Sequence, residues 1–335
     1  MFKKILLLIF FLLASGYWLF TRAPERDREL RFTISPNETA TELAAELKTK
    51  KVIFSPKAFL SYLKFKNLDT SLQTGDYVVV PPINFNKIVF ALKNPGVGER
   101  TITVIPGWTL RDLADYLVNE KIANSKEEVY ALTGVPAELS EVNLRNLDQY
   151  KFLQTKSARV SLEGYFRPDT YRIYKSATLE DVLNRLLNER TKQISDEWYN
   201  EIARQGKTWP EIFTLASILQ KEVRASVDKK IVADIFWRRL KKNWALQADS
   251  TVHYIFGLSD SVYTTAKQRA SQNLYNTYKY PGLPPGPISL PSLESIEAVL
   301  YPTPNDYWYF LTTPSGEVKY AKTLDEHIKN KRFLD

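Results

Sequence analysis

The sequence predicts an α+β protein: an N-terminal transmembrane helix, a small module of two strands and two helices, and a larger mixed α+β body. Three observations predict it. The first twenty residues are apolar after two lysines. A unit of strand, proline turn and amphipathic helix occurs twice at an offset of 70 residues. Helical patterning dominates from about residue 126 to 240, then gives way to strands near the C-terminus.

Lys3 and Lys4 precede an uninterrupted apolar run from Ile5 to Ala14, and Tyr17 and Trp18 follow it. As a helix, residues 5–20 would span roughly 24 Å at about 1.5 Å per residue, short of a bilayer core of about 30 Å. Lys4 and Arg22 reaching outward, with interfacial Tyr17 and Trp18, make up the difference. A secretory signal peptide starts in the same way but ends at a small-x-small cleavage site. Residues 14–24 show no good one, and there is no cysteine for a lipid. The reading is an uncleaved anchor over 1–21, followed by a charged linker, 22–30, containing Pro24. Its orientation stays open, because Lys3 and Lys4 on one side compete with Arg22, Arg26, Arg28 and Arg31 on the other.

The repeat aligns Arg31–Ser55 with Thr101–Ser125 without gaps. Thr33 matches Thr103, Pro36 matches Pro106, and Thr39 matches Thr109. Leu43, Ala44 and Leu47 match Leu113, Ala114 and Leu117; Lys51 and Ser55 match Lys121 and Ser125. Each threonine stands where a helix N-cap would, and the leucines recur four apart, as on one helical face. The first copy runs on through a second helical pattern, Ala58–Lys66, to the strand Gly75–Val80, bounded by Pro81 and Pro82. Strand, helix, helix, strand in about 50 residues is the layout of a LysM-like glycan-binding module, or of a generic small α+β domain. The expected division is therefore a LysM-like domain over 31–98 and a second domain over 99–335 that opens with the partial repeat at 101–125. Near the end, Trp308–Thr312 and Val318–Tyr320 read as a hairpin around Pro314, Ser315 and Gly316.

With 335 residues the chain can hold two or three domains. It has no cysteine, which excludes disulfides, zinc–thiolate sites and cysteine nucleophiles. Its two histidines, His253 and His327, lie in no metal-binding spacing, so no metal or cofactor is expected. A net charge of +8 favours anionic partners such as lipid headgroups or a wall polymer. Nucleic acid is not expected, since no basic run or RNP-type motif is present. Nor is there a Gly-x-Gly-x-x-Gly or Walker signature.

The segment Trp209–Val223 reads as a packed helix with Thr208 as N-cap and Pro210 in its first turn. Glu222 falls on the stripe of Leu215, Ile218 and Leu219, whereas Gln220 and Lys221 point away. A carboxyl on an apolar face has its pKa raised, as a general acid near neutral pH requires. If the last turn surfaces instead, Glu222 is merely solvated. Three other stretches combine polar and aromatic residues in the manner of a carbohydrate groove. From Glu163–Tyr171 the candidates are Glu163, Tyr165, Arg167 and Asp169. From Gln247–Tyr254 they are Gln247, Asp249, Thr251 and Tyr254. From the proline-rich Tyr275–Ile288 they are Asn276 and Tyr278. Asp249 is the candidate for a second carboxylate of the kind most glycosidases use.

With these segments in hand, the chain resembles the MltG (YceG-like) family of endolytic murein transglycosylases over its whole layout. The resemblance is carried by L-A-S-I-L-Q-K-E-V, E-G-Y-F-R-P-D-T-Y, L-Q-A-D-S-T-V-H-Y and Y-N-T-Y-K-Y-P-G-L-P-P-G-P-I. It implies Glu222 as the single catalytic acid and base, with the other candidates orienting sugars. The implied reaction is non-hydrolytic cleavage between N-acetylmuramic acid and N-acetylglucosamine, giving 1,6-anhydro ends and stopping strand elongation. It also implies peptidoglycan strands as substrate, and a single-pass position in the cytoplasmic membrane with the catalytic domain on the outer face. Peptidoglycan synthases (penicillin-binding proteins) would be neighbours there. Departures from the family pattern are Gln220 for Glu, Ser250 for Pro, Leu290 for Asn and Ile328 for Asn. The competing readings are a membrane-anchored muramidase, with Asp249 activating water, and a non-catalytic wall-binding scaffold.

Overall fold

The structure, a computed structural model, describes residues 29–69, 72–79, 81, 83–93, 99–175, 177–258 and 264–334. The anchor expected over 1–21 and nearly all of the linker lie outside these residues. Among the described residues no helix is long and apolar enough to cross a membrane. The fold is mixed α+β, with helices and, among the described residues, three two-stranded sheets. Contacts divide the chain into two compact units. One comprises the described residues up to Thr101 with the described part of 172–176; the other takes in 102–171 and the chain from 177 onward.

The first unit runs β1 (Leu30–Ile34), α1 (Ala40–Thr49), α2 (Pro56–Phe65), β2 (Gly75–Val79) and α3 (Phe85–Lys93). The order of strand, helix, helix, strand is the one the sequence suggests, and α3 is an addition to it. β1 and β2 pair antiparallel with Phe32 opposite Tyr77, and their rings stack 5.3 Å apart. Alternation puts Leu30, Phe32 and Ile34 inward. They meet Leu43, Leu47, Phe59, Leu63 and Ile88 in one core. Completely buried Phe59 contributes on the order of 1.5–3 kcal/mol by leaving water.

The repeat is visible as local structure. β3 (Glu99–Thr103), α4 (Leu110–Asn119) and α5 (Lys126–Thr133) follow the pattern of β1, α1 and α2. Thr39 and Thr109 each accept from the third helical N–H, and Glu42 and Asp112 accept in return from the cap N–H at 2.8 and 2.7 Å. Both helices end through a left-handed lysine, Lys51 at φ 54° and Lys121 at φ 55°. Val52 and Ile122 then donate back to Leu47 and Leu117. Ser55 and Ser125 cap the next helix in each copy.

β3 pairs with β4 (Thr170–Tyr174), and in the second unit α6 (Leu179–Gln193) and α7 (Asp196–Arg204) precede α8 (Trp209–Glu222). α8 opens with Thr208 as N-cap, a capping box to Glu211, and proline in the first turn. From Ile212 to Leu219 every residue is buried, including Thr214 and Ser217, so this helix is wrapped on all sides. Around it pack α9 (Ser226–Lys241), α10 (Asp249–Phe256) and α12 (Leu293–Leu300), and the short α11 (Ala266–Arg269) lies between the last two in sequence. Phe213 anchors an aromatic cluster with Phe152, Tyr165 and Trp209. The late hairpin is present as β5 (Tyr309–Thr312) and β6 (Val318–Ala321), paired antiparallel, with α13 (Leu324–Asn330) after it.

Two of the polar-aromatic stretches are pressed together at Gly164. A Cβ there would stand 2.3 Å from Pro287 Cβ, and the residue has φ +79°. Fully buried Arg190 ties the same region, donating to the carbonyls of Phe166 and Pro291 at 2.8 and 3.1 Å.

Candidate active site

Glu222 is the last residue of α8, and its carboxyl meets the first turn of α10. Ser250 Oγ donates to Glu222 Oε1 at 2.6 Å. The residue keeps part of its surface in solvent, so it is neither wholly buried nor simply solvated. Burial of the carboxyl raises its pKa above the usual carboxylate value. The Ser250 hydroxyl opposes that rise, the negative charge of Asp249 adds to it, and Arg239 opposes it. From β5, Thr312 Oγ1 donates to the Glu222 carbonyl at 3.0 Å, tying the end of the helix to the hairpin.

Asp249 stands beside Ser250 on the same turn. Its Oδ1 accepts from Tyr278 OH at 3.0 Å and from Thr264 Oγ1. Arg269 Nη1 donates to Thr264 Oγ1 at 2.9 Å, extending the network. Tyr278 has its pKa raised by burial first and then by Asp249, with Glu222 contributing. Arg239 spends its hydrogen bonds on the carbonyls of Trp308 and Leu246 while its charge remains felt at Glu222. Glu222, Ser250, Asp249, Tyr278 and Arg239 thus form one cluster drawn from α8, α9, α10 and the proline-rich loop.

The other expected sugar contacts divide sharply. Glu163 is fully buried, and both its oxygens accept from the Leu110 N–H, at 2.9 and 2.8 Å, at the start of α4. Burial pushes its pKa up to about 8. Tyr165 is buried in the Phe213 cluster, and Tyr254 is buried with its OH accepting from the Ala137 N–H. Thr251 shares a 2.9 Å hydrogen bond with Thr277, and Asn276 donates to the carbonyls of Arg269 and Ser271. These five side chains hold loops and do not face a groove. Except at Tyr165, whose buried OH has no hydrogen-bond partner among the described residues, their polarity follows from the backbone groups they satisfy inside the fold. Gln247 is exposed in a left-handed conformation, and its N–H donates to Thr277 O, so the second and third stretches are stitched together. Arg167 and Asp169 pair at 2.7 Å, with Glu189 as the next partner of Arg167; these ion pairs do not include Glu222.

Residues 32–333 match the YceG-like family. The chain belongs to that family. Two similar curated proteins carry the name endolytic murein transglycosylase. The one from Bacillus subtilis is 31% identical over 90% of this chain and 84% of its own length. The one from Streptococcus pneumoniae is 29% identical over 89% of this chain and 57% of its own length, so this chain spans little more than half of that relative. The crystal structure of a yceG-like protein from Listeria monocytogenes is 32% identical, covers 91% of this chain and 100% of its own, and superposes with a TM-score of 0.60.

Within the YceG-like pattern Gln220 was a departure, read from the sequence as facing away from the packed stripe. The structure corrects that direction. Gln220 is partly buried, and its Oε1 accepts from Ser292 N–H at 3.1 Å and Ser295 Oγ at 2.7 Å, clamping the start of α12. Of the two, Lys221 is the exposed one. Sequence reasoning missed Ser250 and Arg239 as neighbours of Glu222. The only signal was the placement of Ser250 next to Asp249 at a helix start.

Proposed function

We propose that this protein is a peptidoglycan lytic transglycosylase that cuts the bond between N-acetylmuramic acid and N-acetylglucosamine with Glu222 as its acid and base. The observation that carries the reading is the Glu222 carboxyl: held at the end of α8, raised in pKa by burial, and set against Ser250 and Asp249. The names of the relatives from Bacillus subtilis and Streptococcus pneumoniae support the same reaction class.

Burial shifts Glu222 toward its protonated form, the form that donates a proton to the glycosidic oxygen as the bond to C1 breaks. The muramyl C6 hydroxyl attacks C1 and returns its proton to the Glu222 carboxylate. The enzyme is regenerated, no water is consumed, and the product carries a 1,6-anhydro end. One group acting in both directions needs no carboxylate nucleophile, so the two-carboxylate template of hydrolysis is not required. Asp249 and Tyr278 stand ready to orient the sugars, while Ser250 receives the carboxylate form.

The adjacency of Asp249 to Glu222 also favours a second reading, a muramidase in which Asp249 activates water. Digestion of glycan strands by the wild type and by Glu222→Gln, read by product mass, separates the possibilities. Anhydro ends from the wild type and no cleavage by Glu222→Gln are expected. Reducing ends would establish the muramidase, and an active Glu222→Gln would remove Glu222 from the chemistry.

The remaining parts follow from the sequence. The apolar run at 5–20 supports a single-pass anchor, and the family resemblance supports the cytoplasmic membrane with the body on the outer face. The strand, helix, helix, strand unit supports a LysM-like role in holding glycan. In that position the enzyme would act on nascent strands beside the synthases and end their elongation.

A further inference from the structure

Ser250 stands where the resemblance calls for proline, and it brings two donors that proline lacks. Its hydroxyl donates to Glu222 Oε1 at 2.6 Å. Its backbone N–H lies in the first turn of α10, where helical N–H groups have no partner within the helix, and it also interacts favourably with the Glu222 carboxyl. A carboxylate is stabilised by such donors far more than a neutral carboxylic acid is. We infer that Ser250 is a positioning residue that pins the Glu222 carboxyl to the first turn of α10 and sets the pH range over which this protein cuts. The inference rests on Glu222 being the acid and base.

The surroundings show why such a residue matters. Burial and the charge of Asp249, on the same turn of α10, work against ionised Glu222. Arg239 from α9 works in its favour but is turned toward the carbonyls of Trp308 and Leu246. Tyr278 faces Glu222 from the proline-rich loop and is bonded to Asp249. From β5, Thr312 bonds the backbone carbonyl of Glu222 and not its carboxyl. Among the described residues, Ser250 is therefore the side chain that donates to the acid itself. Its hydroxyl also fixes where the proton is delivered. When Glu222 gives up its proton, Ser250 holds the carboxylate that must next take the proton of the C6 hydroxyl. Loss of Ser250 should slow turnover more than it weakens binding.

The test is the pH–rate profile of strand cleavage for the full chain and its Ser250→Ala, Ser250→Thr, Ser250→Pro and Glu222→Gln variants. The alkaline limb reports loss of the proton from Glu222. Removing donors to the carboxylate raises its pKa, so Ser250→Ala should move that limb up by about one pH unit. Its kcat should fall about tenfold, with KM nearly unchanged. Ser250→Pro, tolerable in a first turn, should shift the limb at least as far, and Ser250→Thr should restore the wild-type profile. Thermal melting checks that each variant folds; if Ser250→Pro does not, the Ala and Thr pair decides. A folded Ser250→Ala with the wild-type profile and rate overturns the inference while an inactive Glu222→Gln leaves the proposed function standing. An active Glu222→Gln overturns both.

Discussion

In both copies of the repeat a threonine caps a ten-residue helix, an acid three residues on closes the box, and a left-handed lysine ends it. The helices α1 and α4 are alike in length, cap and exit. Their surroundings are not. α1 closes a small core with β1, β2 and α2, and its start lies near the surface, with Thr39 and Glu42 bonded to each other. At α4, Glu163 reaches from 53 residues away to bind the Leu110 N–H. Gly107 and Leu290 add a backbone bond, and Arg111 donates to Tyr254 O at 2.7 Å. The same local code makes a free-standing helix start in one place and a docked one in the other. A cap specifies where a helix begins, and the chain brought to that beginning specifies what the helix is for.

Removing Glu163 is the strongest way to break the difference. Glu163→Ala leaves the buried Leu110 N–H without its acceptor, and should destabilise the second unit by about 3 kcal/mol in urea unfolding. Its pKa also predicts a pH dependence. The unfolded carboxyl titrates near 4.5 and the folded one near 8, so folding takes up a proton between those values. The stability this group contributes is complete below about pH 4.5, declines as pH rises toward 8, and is flat above that. Glu163→Gln should erase that slope; if the slope survives, another group is responsible.

Gly164→Ala presses on the same junction. The added carbon meets Pro287 and the left-handed backbone resists any side chain, so a loss of about 2 kcal/mol in unfolding free energy is expected. A neutral result would mean that the two loops part easily. The smallest effects sharpen the likeness between the copies. Thr39→Ala and Thr109→Ala should each cost about 1 kcal/mol in the unfolding of the unit that carries them. A much larger loss at Thr109 would show that the docked cap is coupled to the junction around Glu163.

The candidate site was legible in part. Glu222 could be placed on the packed stripe of α8 because helical spacing alone relates it to Ile218 and Leu219. Asp249 and Tyr278 could be chosen as polar groups on promising segments, and the structure bonds them to each other. Glu163, Tyr165, Thr251, Tyr254 and Asn276 were chosen on the same grounds and are interior struts. Composition cannot tell these cases apart, because a buried polar residue that satisfies backbone groups looks in sequence like one that awaits a sugar.

What the sequence by itself determined are features built from near neighbours: the caps at Thr39, Thr109 and Thr208, the helical stripes, the hairpin around Gly316 and the repeat. Those interactions span about four residues or a tight turn, so the pattern and the contact coincide. Only the tertiary structure decided that Ser250 meets Glu222 across 28 residues, that Gln220 turns to clamp α12, and that Glu163 belongs to α4. The physical reason is that hydrogen-bonding groups become partners when buried surfaces bring their helices together, and that packing is a property of the whole core, not of the segment that carries either group.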